Sequence, residues 1–130
     1  MNLLVVDDSK DITDVLMVYC ESKGVECTVV NAGIDGLEIV RNNSNFDLIL
    51  LDLAMPEFSG LDVIQTLKNE NLLERRNIVV FTASSDQKVL EETERSGVKA
   101  IFKKPFSVDD LTSLIEKYRK TNSNILVTRS

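Results

Sequence analysis

Histidine and tryptophan are absent from these 130 residues, and cysteine and proline occur only twice each. Without imidazole, no side-chain histidine serves as general base, phosphoryl carrier or metal ligand, so carboxylates, hydroxyls and lysines must carry any chemistry. Oxygen-ligand chemistry is favoured from the outset. Cys20 and Cys27 are too few for a disulfide framework and have neither CxxC nor zinc-ligand spacing. They read as small apolar side chains in a reducing compartment. No apolar run approaches the roughly 20 residues that a bilayer crossing needs, and Asp7 and Asp8 interrupt the apolar start too early for a signal peptide. A soluble, cytoplasmic location is the expectation. No GxGxxG follows the first apolar run and no GxxxxGK[ST] occurs anywhere, which removes the usual dinucleotide and P-loop readings.

The charge balance is acidic, with 15 basic and 21 acidic side chains and a net charge of −6. That sign argues against nucleic acid or an anionic membrane as a direct partner. With 43% of residues apolar, the chain suits one domain with a radius of gyration of roughly 14 Å.

Leu3 to Val6, Val25 to Val30, Phe46 to Leu51, Ile78 to Phe81 and Val98 to Phe102 read as five short strands. The first, third and fourth show little polar alternation, the pattern of strands covered by helices on both faces. Ile12, Val15, Leu16 and Tyr19 form a helical stripe that Gly24 would terminate. Ile34, Leu37 and Val40 mark a second helix, and Leu61, Ile64 and Leu67 a third that opens after Gly60. A fourth helix runs from a Ser84 or Ser85 cap to Ser96, anchored mainly by Val89 and Leu90, so slight burial is expected. The fifth carries Val108, Leu111, Leu114, Ile115 and Tyr118 behind a Ser107/Asp110 capping arrangement. The alternation predicts a doubly wound α/β domain over residues 1–120 with a parallel five-stranded sheet and five helices. Residues 121–130 read as a tail or the start of a linker, where Thr121-Asn122-Ser123-Asn124 leaves the helical pattern and Ile125-Leu126-Val127 follows.

The polar residues at the strand ends are the main functional signal. Asp7 and Asp8 follow the first strand, Asp52 the third, Thr82 the fourth and Lys104 the fifth, so a parallel sheet delivers them all to one rim. A strand-end aspartate taken alone also begins turns or caps helices. Three carboxylates, a hydroxyl and an ammonium together point to a shared metal and polyanion site. Crowded carboxylates repel one another, and a divalent cation with Lys104 would compensate them. Mg2+ suits carboxylate, carbonyl and water oxygens, and Mn2+ fits the same donors. Asp8 and Asp52 are assigned as direct ligands, Asp7 as direct or water-mediated, and the Ala54 carbonyl as a further contact. Asp52 would attack an activated phosphorus to give an aspartyl phosphate, with Thr82 and Lys104 contacting phosphoryl oxygens. Pro105 stiffens the backbone beside Lys104, and Lys103 reads as its exposed neighbour. Pro56 and Gly60 make Met55 to Gly60 a positioned loop, while Phe58 and Phe106 either frame the rim or pack beneath it.

Val5-Val6-Asp7-Asp8, Leu50-Leu51-Asp52-Leu53-Ala54-Met55-Pro56, Thr82-Ala83 and Lys104-Pro105-Phe106, in this order, resemble the receiver domain of two-component response regulators, of the stand-alone chemotaxis or phosphorelay type. The resemblance spans about residues 2 to 119. It implies the flavodoxin-like strand order 2-1-3-4-5 and phosphoryl transfer to Asp52, with Mg2+, from a phosphohistidine on a sensor histidine kinase or histidine phosphotransfer protein. It also implies an acidic pair in Asp7 and Asp8, a switch hydroxyl in Thr82, a phosphate-contacting Lys104, and a cis bond before Pro105. State would be relayed through the fourth helix, fifth strand and fifth helix to a downstream protein or output domain. There Glu91, Glu92, Glu94 and Arg95 form either a solvated face or a partner contact.

One position departs from the family. Ile101 stands where the family often has Tyr or Phe, and Phe102 alternates to the opposite side, so an aromatic rotamer relay is not carried over. Ala54 and Ser84 offer no carboxylate or amide to orient hydrolytic water. Ile101 motivates the alternative of a phosphorylation-independent interaction domain. A Mg2+-dependent aspartyl-phosphate phosphatase is less favoured, because residue 54 is no acid and the chain leaves little room for a cap.

Overall fold

The computed structural model describes residues 1–127, with side chains through Arg119. The branched runs form strands β1 (Asn2–Val6), β2 (Glu26–Val30), β3 (Leu48–Asp52), β4 (Ile78–Thr82) and β5 (Ala100–Lys103). Between and after them lie helices α1 (Lys10–Ser22), α2 (Gly33–Asn42), α3 (Gly60–Asn69), α4 (Gln87–Ser96) and α5 (Val108–Val127). The five strands are parallel and ordered β2-β1-β3-β4-β5, as the resemblance implies. Strands β3 and β4 are buried at every residue and β1 at all but its first. The edge strands β2 and β5 are half-buried or exposed.

Side-chain alternation divides the core in two. Leu4, Val6, Ile49, Leu51, Ile78 and Val80 meet Leu37 and Val40 of α2 and Val63, Ile64 and Leu67 of α3. On the other face Leu3, Val5, Leu48, Leu50, Val79 and Phe81 meet Leu16 and Cys20 of α1 and Leu111, Leu114 and Ile115 of α5. Each large aliphatic chain fully buried in these layers contributes about 1.5–3 kcal/mol of transfer free energy. The Tyr19 and Thr112 hydroxyls hydrogen bond to each other, tying α1 to α5. Cys20 is buried and unpaired as a disulfide, consistent with its reading as core.

Several expected positions move. In α1 the buried face is Thr13, Leu16 and Cys20, whereas Val15 is 67% exposed. Val15 lies a full side away from Thr13 on the helix, and the apolar Met17 and Val18, also exposed, blur the stripe. Ile34 and Val108, both in first turns, point outward as well. Strand β5 starts at Ala100 instead of Val98, because Gly97 (φ 111°) turns the chain and the Lys99 N–H already bonds to the Ile78 carbonyl. Strands β2 and β3 likewise begin later than read, at Glu26 and Leu48. Helix α4 is capped by Asp86, whose carboxylate accepts from the Lys88 and Val89 N–H groups, and not by Ser84 or Ser85.

The predicted terminator Gly24 adopts φ 69° after α1. Helix α3 gains a capping box that was not read from the sequence, with Ser59 and Asp62 each accepting the other's backbone N–H. A short 3-10 turn, Leu73–Arg75, was also not anticipated. Helix α5 continues to Val127, past the end read near Thr121. No glycine or proline after Pro105 interrupts it. The side chains of Ile125-Leu126-Val127 lie outside those described.

Candidate functional site

Because all strands run the same way, their carboxyl ends share one rim. Asp52 closes β3 and Thr82 closes β4, while Asp7 follows β1 and Lys104 follows β5. Val6 pairs with Leu51 and Asp52 with Phe81. In a parallel ladder, laterally paired residues face the same side of the sheet, so Asp7, Asp52 and Phe81 form a row.

Asp7 is wholly buried, Asp52 nearly so, and Asp8 is exposed. Carboxylate oxygens of the three lie within 4.8 Å of one another. The Lys104 ammonium donates to Asp7 Oδ2 at 2.9 Å and sits 3.4 Å from Asp52 Oδ2. Asp7 Oδ1 accepts the Ser9 N–H at 2.9 Å, and Asp52 Oδ1 accepts the Ala54 N–H at 3.3 Å. Burial, reinforced by the neighbouring Asp7 charge, pushes the Asp52 carboxyl up to about 6, against the opposing pull of Lys104 and the Ala54 N–H.

The acidic triad and Lys104 are thus brought together as the strand-end pattern predicted. Thr82 occupies the same rim, fully buried, and its hydroxyl accepts the Ser84 N–H at 3.0 Å. The next rung repeats this, with Ser84 Oγ accepting the Asp86 N–H at 3.1 Å. Ala54 is exposed two residues past Asp52, and Lys103 is exposed beside Lys104. The Lys104–Pro105 bond is cis, as the resemblance implies. Gly60 backs the site: a Cβ there would lie 2.1 Å from the Asp52 carbonyl oxygen, so only glycine lets α3 start this close to the end of β3.

Ile101 packs with the α2 and α3 layer, and Phe102 with the opposite layer, so the alternation read from the sequence holds. Phe58 is half-buried against the first layer. Phe106 meets Phe81 edge-on, with centroids 5.5 Å apart at 86°. Three supporting residues escaped the sequence reading. Ser9 donates to Asp7 and also caps α1; Asn31 donates to the Asp7 carbonyl at 2.9 Å; Phe81 lies beneath the Lys104 ammonium, 4.8 Å from the ring centroid. The Asp7-Asp8-Ser9 order is a visible cap signal, whereas Asn31 and Phe81 require the strand register.

The donor set fits a hard divalent cation. Three carboxylates against one ammonium leave excess negative charge at a largely buried rim.

The sequence matches the family described as "Response regulator receiver domain" over residues 3–116. This chain belongs to that family. Among relatives of this receiver domain, the response regulator SaeR of Staphylococcus epidermidis is 31% identical over 125 residues, covering 93% of this chain and 53% of SaeR. The chain therefore spans about half the length of SaeR. Sporulation initiation phosphotransferase F of Bacillus subtilis is 27% identical over 124 residues, covering 94% of this chain and 96% of that protein. In structure, the receiver domain of Francisella response regulator 1452 aligns with a TM-score of 0.80 at 28% identity, covering 92% and 98% of the two chains. The Thermotoga maritima response regulator TrrA, determined in complex with Mg2+ and BeF, aligns with a TM-score of 0.75 at 26% identity, covering 90% and 97%. A receiver domain is a phosphorylation-accepting signalling domain, and this chain is one. Among the described residues, no helix is long and apolar enough to cross a membrane.

Proposed function

We propose that Asp52 is the phosphorylated residue, and that its phosphoryl group comes from a phosphohistidine on a sensor histidine kinase or histidine phosphotransfer protein of the cytoplasm. The observation that carries this reading is the convergence of Asp7, Asp8 and Asp52 under one ammonium. A carboxylate oxygen of Asp52 forms the new bond to phosphorus as the P–N bond breaks, and the electron pair leaves with the imidazole nitrogen. The chain contains no histidine of its own, so the donor must be a second molecule or a separate module.

Lys104 moves little to meet a phosphoryl oxygen, because it already lies against Asp52. The Thr82 hydroxyl accepts from Ser84 and so keeps its own hydrogen free to donate to another phosphoryl oxygen. Asp7, Asp8, Asp52 and the Ala54 carbonyl would hold Mg2+, with Mn2+ fitting the same donors. When bound, the metal supplies positive charge to the oxygens around the transferring phosphorus. Beside the rim, an open groove of about 580 Å³ that Lys104, Pro105 and Phe106 share with Ile12 and Val15 of α1 offers a surface for a histidine-bearing helix. Downstream, the face made by α4, β5 and α5 carries the phosphorylation state to an output domain or partner protein.

Incubation with Mg2+ and a small acyl phosphate tests this. The expected product is one phosphate on Asp52, stable in acid and removed by base or hydroxylamine, and absent from Asp52→Asn. A wild-type protein that takes up no phosphate under these conditions overturns the reading and favours a phosphorylation-independent interaction domain.

A further inference from the structure

Lysine side chains are long and conformationally free, and holding one in place costs rotamer entropy. The Lys104 ammonium is nonetheless drawn inward, with a side chain only 15% exposed, and lies 2.9 Å from Asp7 and 3.4 Å from Asp52. The same ammonium also lies over the face of the Phe81 ring, 4.8 Å from its centroid. Phe81 is 2% exposed and pairs directly with Asp52 across the ladder, so the ring and the acceptor carboxylate stand side by side. A desolvated ring face of this kind attracts a cation through its quadrupole.

We infer that Phe81 is a positioning residue of the phosphoacceptor site, whose ring face holds the Lys104 ammonium against Asp7 and Asp52 before and during phosphoryl transfer. The inference rests on the reading of Asp52 as the acceptor and adds the part that the aromatic ring plays. The ring has two independent supports. Its place in β4 sets its direction, and the edge-on contact with Phe106 at 5.5 Å limits its tilt. Phe106 lies two residues beyond Lys104, so the segment carrying the cation also braces the ring that receives it. An aliphatic residue at position 81 would be as apolar in the layer between β4 and α5 but would present no negative face to the ammonium.

The test separates electronics from shape. Site-specific incorporation of mono-, di- and trifluorophenylalanine at position 81 withdraws charge from the ring face while barely changing its size. The rate of Asp52 phosphorylation by an acyl phosphate with saturating Mg2+ is expected to fall stepwise, by about tenfold across the series, with an unchanged unfolding midpoint. The same series at Phe46, on the other sheet face, should leave the rate unaltered. In the absence of any donor, the Lys104 ε-methylene protons should show an upfield ring-current shift that Phe81→Leu abolishes. A rate indifferent to fluorination at 81 overturns the positioning role. Absence of the ring-current shift in the wild type overturns the contact itself, and does so even if no phosphate is taken up, an outcome that would count against the acceptor reading instead.

Discussion

Helices α3 and α4 are each ten residues long and flank the same central strands, yet they are held very differently. Gly60, Val63, Ile64 and Leu67 of α3 are buried, and its first turn is closed by the reciprocal Ser59/Asp62 box. Helix α4 buries Thr93 alone and otherwise leans on half-buried Val89 and Leu90. The residues preceding them explain the division of labour. Helix α3 follows the strand and loop that present Asp52, and the nucleophile proposed there must be held still. Helix α4 follows the segment that presents Thr82, and an element proposed to report phosphorylation must be able to shift at low cost. Within one helical layer, the firm helix thus follows Asp52 and the loose one follows Thr82.

The contrast breaks most visibly by truncation. Leu67→Ala should lower the unfolding free energy in urea by about 3 kcal/mol, whereas Leu90→Ala should lower it by less than about 1 kcal/mol. Native-state hydrogen exchange should likewise find α4 amides opening well below the global limit. Equal costs at the two positions would remove the distinction.

A second measurement sharpens the anchored side. The Asp52 carboxyl lies at about 6 in the folded chain against an ordinary 3.8, so the native state binds that proton more tightly than the unfolded state does. The stabilisation is complete below about pH 4 and lost as pH rises through 6, leaving an ionised, crowded carboxylate at neutral pH. With a chelator present at pH 7, Asp52→Asn should therefore raise stability by about 2 kcal/mol, and the gain should fade toward pH 4. No gain at pH 7 would mean that the rim relaxes to relieve the charge. The smallest effect concerns the loose side: Asp86→Ala should cost about 1 kcal/mol through the lost cap of α4, read as a lower unfolding midpoint.

Most of the architecture could be read from the chain because the central strands are continuous aliphatic runs and the helices carry their own start and stop residues. Helix orientation was less legible. In α1, apolar residues occur at Ile12, Val15, Leu16, Met17 and Val18, so hydrophobicity alone could not select the buried side, and the polar Thr13 takes a core place by bonding its hydroxyl to the Lys10 carbonyl. The cap of α4 was misplaced because Ser84, Ser85 and Asp86 are all competent and the choice depends on where β4 ends. The Ser59/Asp62 box carries the same spacing as Ser107/Asp110 and was visible to the same rule. At the rim, the charged residues announced themselves by following apolar runs. Phe81 and Asn31 gave no such signal, since their relation to Lys104 and Asp7 exists only across strands.

The loop after β4 has one more property. Thr82, Ser84 and Asp86 each clasp the backbone N–H two residues ahead, at 3.0, 3.1 and 3.0 Å, so three links lead from the rim to the first turn of α4. Were Thr82 drawn toward a phosphoryl group on Asp52, as proposed, the displacement would pass along these links to the first turn of α4. None of the three links involves Ile101, so a signal travelling by this route would run along the main chain and need no turning ring.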